Sequence, residues 1–207
     1  MSYKIENLFS IPLFKTNYGE ISQDEHDVVE RCFMEGLYGN TLNFTSNNNY
    51  ILDKELPNLK KFINESVVSY VEEIIIGSEY DQDKLSFQIT QSWLNVSRPG
   101  QSHHKHLHNN SVISGVFYFQ VNPNRDGITF YNSIPQQTIH INPKKYNHYN
   151  SGLWRVLVQS GDLLLFPSQM YHAVDQVIGT EDRVSLSFNV FPRGTIGKNV
   201  DLTELHI

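Results

Sequence analysis

Cysteine is almost missing from this chain: Cys32 stands alone, so no internal disulfide can form and no thiolate cluster can hold a metal. Long apolar runs are missing too, since none approaches the roughly 18 residues that a membrane span requires. The opening residues, Met1-Ser2-Tyr3-Lys4-Ile5-Glu6, lack the apolar core of a secretory signal, which makes the cytoplasm the expected compartment. Charge is sparse at 18% of residues and sums to −6, a balance that argues against general nucleic-acid binding. Carboxylates nearly vanish from the back half. Between Lys84 and Thr180 there are only Asp126, Asp162 and Asp175, so residues 1–83 carry −9 and residues 84–207 carry +3.

What is present is apolar and aromatic. The 207 residues are 39% hydrophobic and 12% aromatic, enough for a substantial core. At about 150 residues per domain the length suggests one generous domain, 1–207. Histidine is the unusual abundance: of nine, all but His26 and His206 fall between residues 84 and 180. The chemistry is therefore expected in the back half.

The front, residues 1–83, reads as helical support after a short extended start. Ser22 can cap a helix with Glu25 three residues on, and this helix should run to about Glu35, with Gly36 or Gly39 as a stop. Leu56, Leu59, Ile63, Val67, Tyr70 and Ile74 recur at steps of three and four, a stripe that predicts a second helix ended by Gly77. The Asn- and Thr-rich stretch from Asn40 to Tyr50 between them reads as loop. From Leu85 the texture becomes β-branched and aromatic, in short segments: Leu85–Val96, Val112–Val121, Ile128–Tyr131, Thr138–Ile141, Trp154–Val158, Leu163–Phe166, Tyr171–Val177 and Val184–Phe191. Pro143–Gly152 is a polar loop. The fold expected is mainly β, an eight-stranded jelly roll over 84–192 with two N-terminal helices buttressing one sheet and a tail at 193–207.

Ser102-His103-His104-Lys105-His106-Leu107-His108 packs four histidines into six positions. In an extended strand alternate side chains share a face, so His104, His106 and His108 should project together. Two imidazoles so placed can take adjacent positions on one metal ion, or belong to a solvated loop. Gly161–His172 offers a further candidate: a Gly-Asp turn, an apolar strand, Pro167 and then His172, a ligand or a satisfied core histidine. In Arg183–Asn189 the alternation puts Arg183, Ser185, Ser187 and Asn189 on one face. A bound carboxylate suits such a face, because an Arg fork takes it bidentately. The alternative is a solvated face with Arg183 paired to Asp182 or Glu181.

With these residues in view the sequence resembles the iron(II)/2-oxoglutarate-dependent oxygenases, particularly uncharacterised bacterial and phage members. The resembling blocks are Ser92–Val96, His106–Tyr118, Gly161–His172 and Arg183–Asn189, in the family's order. The resemblance implies a double-stranded β-helix in which Fe(II) is held by His106, His108 and His172, the metal ligands being the only catalytic groups. It implies that Arg183 and Ser185 hold the far carboxylate of the cosubstrate 2-oxoglutarate. Tyr118 would hydrogen-bond that carboxylate, and Asn95 would touch the near end. The reaction implied is hydroxylation of a small-molecule or peptide substrate, with no nucleic-acid or membrane partner. One departure stands out. The superfamily usually has Asp or Glu two residues after its first histidine, and here that position is His108.

Two other readings share the barrel. Gly100, His106, His108, Gly161, Pro167 and His172 resemble the paired cupin motifs, which would give a three-histidine dioxygenase without 2-oxoglutarate. Ser111, Val112 and Ile113 stand where the cupin glutamate should fall, and Arg183 and Ser185 then have no role. A non-catalytic jelly-roll binding protein would leave the ordered His, His, Arg series to chance. His103 and His104 remain as groups that stand behind the metal ligands or face solvent, the 143–152 loop as a surface loop or lid, and Cys32 as a buried helix residue.

Overall fold

Two local signals at the front of the chain build the helices that back the sheet. The computed structural model of the protein describes residues 1–6, 8, 10–132 and 141–207. After a short strand, β1 (Phe14–Asn17), Ser22 Oγ accepts from the Glu25 amide at 3.3 Å while the Glu25 carboxylate accepts from the Ser22 amide at 2.9 Å. This reciprocal box opens α1 (Gln23–Met34) where the sequence expects it, and Val28, Val29 and Cys32 are buried on its inner side.

The second helix departs from its expectation at its end. After β2 (Leu37–Asn40), β3 (Asn43–Ser46) and a single turn α2 (Ile51–Lys54), α3 spans Pro57–Tyr70. Leu56, Leu59, Ile63, Val67 and Tyr70 are all buried, as the stripe requires. Val71–Ile76 then winds as a wider π-helical turn before Gly77, at φ +80°, stops it. The wider turn shifts the phase of the stripe. Val71 is buried instead, and Ile74, its expected last member, is exposed.

The strands follow as β4 (Leu85–Ser97), β5 (His103–His106), β6 (Ile113–Gln120), β7 (Gly127–Tyr131), β8 (Leu153–Leu157), β9 (Asp162–Pro167), β10 (His172–Val174), β11 (Arg183–Ile196) and β12 (Leu205–His206). The large sheet runs β1-β9-β6-β11-β4-β3-β2, with β12 paired to β11, and the small sheet runs β5-β10-β7-β8. From β4 to β11 the chain therefore visits large, small, large, small, small, large, small and large. That winding is the double-stranded β-helix expected from the sequence.

Period-two alternation assigns the two faces of the large sheet. Leu163, Leu165, Phe117, Leu186 and Phe188 join α1 and α3 in one apolar cluster on the outer face. Leu164, Phe166, Val116 and Tyr118 turn inward to meet Ile128 and Phe130 of the small sheet. Strand β9 is thus buried on both sides, and burial contributes about 1.5–3 kcal/mol for each such Leu or Phe side chain. Gly115 makes the fit between β6 and β11 possible, because a Cβ there would lie 2.0 Å from the Phe188 ring.

Three expectations need correcting. The stretch read as loop from Asn40 to Tyr50 contains most of a hairpin: β2 pairs with β3, and β3 extends the large sheet alongside β4. Its Asn residues are poor strand formers, but the free edge of β4 supplies the ladder that overrides propensity. Residues 193–207 are not a loose tail, since β11 continues to Ile196 and β12 folds back on it. The strand expected over Tyr171–Val177 is shortened to His172–Val174. The strand expected at Thr138–Ile141 lies outside the described residues except for Ile141, which is in no strand. No described helix is long and apolar enough to cross a membrane.

Candidate active site

The histidine segment reaches the space between the sheets in a different phase from the one alternation predicts. His172 of β10 stands opposite His106 of β5, while Val174 stands opposite His103. Two steps on one strand thus answer three on the other, a bulge that inserts one residue into β5. It brings His103 and His106 together, their rings stacked at 4.3 Å, and turns His104 out to solvent. The expected face of His104, His106 and His108 is therefore corrected: His103 replaces His104 on the cavity wall. Lys105 points away, its ammonium 4.3 Å from the Tyr131 ring centroid.

His106, His108 and His172 do converge. Each offers one ring nitrogen, and these atoms lie within 4.8 Å of one another. The ring centroids are 4.2 Å apart for His106 and His172, and 5.2 Å for His108 and His172. Every Nδ1 is occupied. His172 Nδ1 donates to Met170 O at 2.9 Å, and His106 Nδ1 to His104 O at 2.7 Å. His108 Nδ1 donates to Asn189 Oδ1 at 2.5 Å. Each ring therefore keeps the lone pair on Nε2, the tautomer a metal ligand needs. Burial, reinforced by the neighbouring His106, pulls the His172 pKa down to about 3. Burial also lowers His106 and His108, so all three are neutral donors at neutral pH. Among the described residues no carboxylate joins the group. Three neutral imidazoles suit a divalent first-row metal such as iron. His103, His104 and His106 form a second such group, with His104 exposed.

His108 lies beyond the end of β5, so other contacts hold it. Its amide donates to Ser168 O at 3.0 Å. Ser114 Oγ lies 3.0 Å from its Nδ1 and donates in turn to Ser168 Oγ at 2.9 Å. Ser168 donates to Ser111 Oγ at 2.8 Å, and Ser111 to Ile113 O at 2.9 Å. All three serines are buried, and the chain leaves none of their hydroxyls without a partner.

Across the cavity from the imidazoles, Arg183 is 3% exposed. It pairs with neither Asp182 nor Glu181. Its Nη1 contacts Asp126 Oδ1 at 3.4 Å and donates to Asp175 O at 2.9 Å, and its Nη2 donates to Ser97 Oγ at 3.2 Å. Of five guanidinium hydrogens, the Nε and one Nη2 hydrogen remain. The next row of the large sheet sets Ser185 opposite both Asn95 and Tyr118, so three expected residues share one register across β4, β11 and β6. Tyr118 is 1% exposed and its hydroxyl has no partner; burial pushes its pKa well up, so it stays a donor. Asn95 Nδ2 donates to Ser187 Oγ at 2.8 Å, but its Oδ1 is unpaired. A buried hydroxyl and a buried guanidinium with spare hydrogens, facing one cavity, fit a carboxylate.

The sequence reading missed three participants. Asp126 is buried against Arg183, and its place in a carboxylate-poor stretch was the available signal. Ser97 sits one residue beyond the segment read as strand. Asn43, in the hairpin read as loop, lines the same cavity and gave no signal of its own.

Comparison with known proteins agrees with this geometry. Residues 91–189 match the family model described as "Putative 2OG-Fe(II) oxygenase". No curated protein matches the chain by sequence. Among solved structures, a Pseudomonas putida prolyl-4-hydroxylase is similar with a TM-score of 0.54 and 14% identity, over 87% of this chain and 93% of that one. HygX from Streptomyces hygroscopicus, with nickel, 2-oxoglutarate and hygromycin B bound, gives 0.57 and 9%, over 87% and 82%. The viral collagen prolyl hydroxylase of Paramecium bursaria Chlorella virus-1, in complex with 2-oxoglutarate, gives 0.54 and 10%, over 86% and 94%. At these identities the structural likeness speaks for the jelly-roll fold, and the family match speaks for the rest. The family match covers just under half of the chain, and the segment 91–189, which carries His106, His108, His172 and Arg183, is similar to the iron(II)/2-oxoglutarate-dependent oxygenases.

Proposed function

We propose that the protein is a hydroxylase in which His106, His108 and His172 hold the iron and Arg183 anchors the far carboxylate of 2-oxoglutarate. The observation that carries this reading is the opposition, inside one cavity, of three convergent imidazoles and a buried guanidinium with hydrogens to spare. When bound, iron and 2-oxoglutarate activate O₂ so that one oxygen atom enters a substrate C–H bond and the other leaves in succinate, with release of CO₂.

The chain's own part is positioning and electrostatics. Arg183, Ser185 and Tyr118 donate to the far carboxylate and set how deep the cosubstrate sits, while Asn95 lies beside them toward the near end. The buried walls, Phe166 and Val116 among them, keep bulk water from the reacting centre. Charge also balances. A two-histidine, one-carboxylate site places its neutralising anion on the metal, and here that anion is missing. Asp126, buried on Arg183, supplies one negative charge at the opposite end, so the dication, the dianionic cosubstrate, Arg183 and Asp126 sum to zero. The substrate is a small molecule or a peptide.

Anaerobic addition of Fe(II) and 2-oxoglutarate should give a visible charge-transfer band, followed by succinate release when air is admitted. Iron binding without that band would favour the cupin-type reading, which the all-histidine ligand set supports and the polar Arg183 end does not.

A further inference from the structure

We infer that Asn43, contributed by the N-terminal hairpin, is a cosubstrate-binding residue whose amide donates to the distal carboxylate of 2-oxoglutarate beside Arg183. The inference rests on the cosubstrate reading above and extends it to a residue outside the segment 91–189 that matches the family.

Asn43 is 2% exposed, and neither its Nδ2 nor its Oδ1 has a hydrogen-bond partner. It is the one described side chain with both ends of an amide buried and unpaired. Such a group destabilises a fold unless something satisfies it, and a leucine of the same size would carry no such penalty. The hairpin is fixed well enough to aim it. Leu94 N donates to Ser46 Oγ at 3.0 Å, Ser46 Oγ donates to Asn48 O at 2.8 Å, and the Arg98 guanidinium lies 4.6 Å from the Phe44 ring centroid.

Register gives its place. Thr45 stands opposite Asn95 and Phe44 opposite Val96, so one further step sets Asn43 beside Ser97. Ser97 stands opposite Arg183 and accepts its Nη2 hydrogen. Asn43, Ser97 and Arg183 thus form one row at the end of the cavity away from the imidazoles, next to the row of Asn95, Ser185 and Tyr118. All of these side chains line the same cavity. A carboxylate arriving there presents only acceptors. It takes the spare Arg183 hydrogens, the Tyr118 hydroxyl and one Asn43 N–H, leaving the Asn43 oxygen for a water.

The test is Asn43→Leu, read by titrating 2-oxoglutarate into the anaerobic Fe(II)-loaded protein at the visible band, with the melting temperature of the ligand-free protein alongside. The dissociation constant for 2-oxoglutarate should rise about 10- to 100-fold, as for loss of a hydrogen bond to a charged group. Iron affinity should stay unchanged and the melting temperature should hold or rise. Asn43→Ala, which removes the amide without adding bulk, should weaken the cosubstrate to a similar degree if the leucine variant does not fold. An unchanged dissociation constant in either folded variant overturns the inference, as does equal weakening of iron and cosubstrate together with a lower melting temperature. Wild-type protein that binds Fe(II) but no 2-oxoglutarate would remove the underlying reading instead, which is a distinct result.

Discussion

The two ends of the cavity treat their polar groups in opposite ways. At the imidazole end every Nδ1 has an acceptor, and the serine chain behind His108 ends on a backbone carbonyl. At the arginine end the Tyr118 hydroxyl, Asn95 Oδ1 and the whole Asn43 amide are buried without partners. The first end is complete before any ligand arrives, so its rings are held in a ligating tautomer at no further cost. The second is left in deficit, and the arriving anion removes the donor part of it, the Tyr118 hydroxyl and the Asn43 Nδ2 group. A site built this way should hold its metal geometry in the absence of cosubstrate and gain stability when cosubstrate binds.

The sharpest test of that contrast is Arg183→Ala. It should weaken 2-oxoglutarate by about 100-fold or more, while iron affinity moves little, because the imidazoles draw no support from Arg183. It should also cost the fold about 3–5 kcal/mol, since Asp126 would be buried without its partner. Adding Asp126→Asn should restore the melting temperature but not cosubstrate affinity. Iron lost in step with 2-oxoglutarate would break the distinction between the ends.

At the other end, Asn189→Ala removes the acceptor that orients His108. Metal affinity should fall about 10- to 100-fold, the usual consequence of losing a partner behind a ligating histidine. Cosubstrate affinity, measured on protein saturated with metal, should be close to wild type. Metal content after dialysis against a chelator checks the first part, and titration of the visible band checks the second.

Acid provides a third probe. His103 and His172 are held by burial at about 3, against 6.5 for an unburied imidazole. Between those values the unfolded chain binds protons that the folded one refuses, so stability of the metal-free protein must fall as pH drops through this window. The slope is at most about 1.4 kcal/mol per pH unit for each imidazole, and these groups add nothing above about pH 7. Denaturant melts at a series of pH values would show it. The smallest effect is expected of Tyr118→Phe, which removes an unpaired hydroxyl. It should cost about 10-fold or less in 2-oxoglutarate affinity and leave the metal-free protein no less stable.

The features readable from the sequence were those that local physics decides. The Ser22–Glu25 box, the stripe from Leu56 to Tyr70 and the apolar run Leu163–Phe166 of β9 depend on near neighbours or on a simple period, and they form as expected. The polar face of β11 was readable for the same reason, and Arg183, Ser185, Ser187 and Asn189 all reach the cavity or a residue lining it. What escaped notice depends on contacts distant in sequence. The hairpin at Leu37–Ser46 forms because β4 offers an edge, and Asp126 is useful only because Arg183 folds against it. The π-helical turn at Val71–Ile76 carries no local signature that separates it from continued α-helix. His104 was misplaced because a strand's alternation holds only while its register is unbroken.

That interruption in β5 makes spacing, rather than residue identity, the determinant of which rings look inward. Paired without the interruption at its present length, β5 would bring His104 onto the wall in place of His103, whereas deleting Lys105 would leave His103 two steps from His106 and still facing inward. The pairing of β5 with β10, and not the histidines themselves, therefore decides which of two adjacent rings stands beside His106.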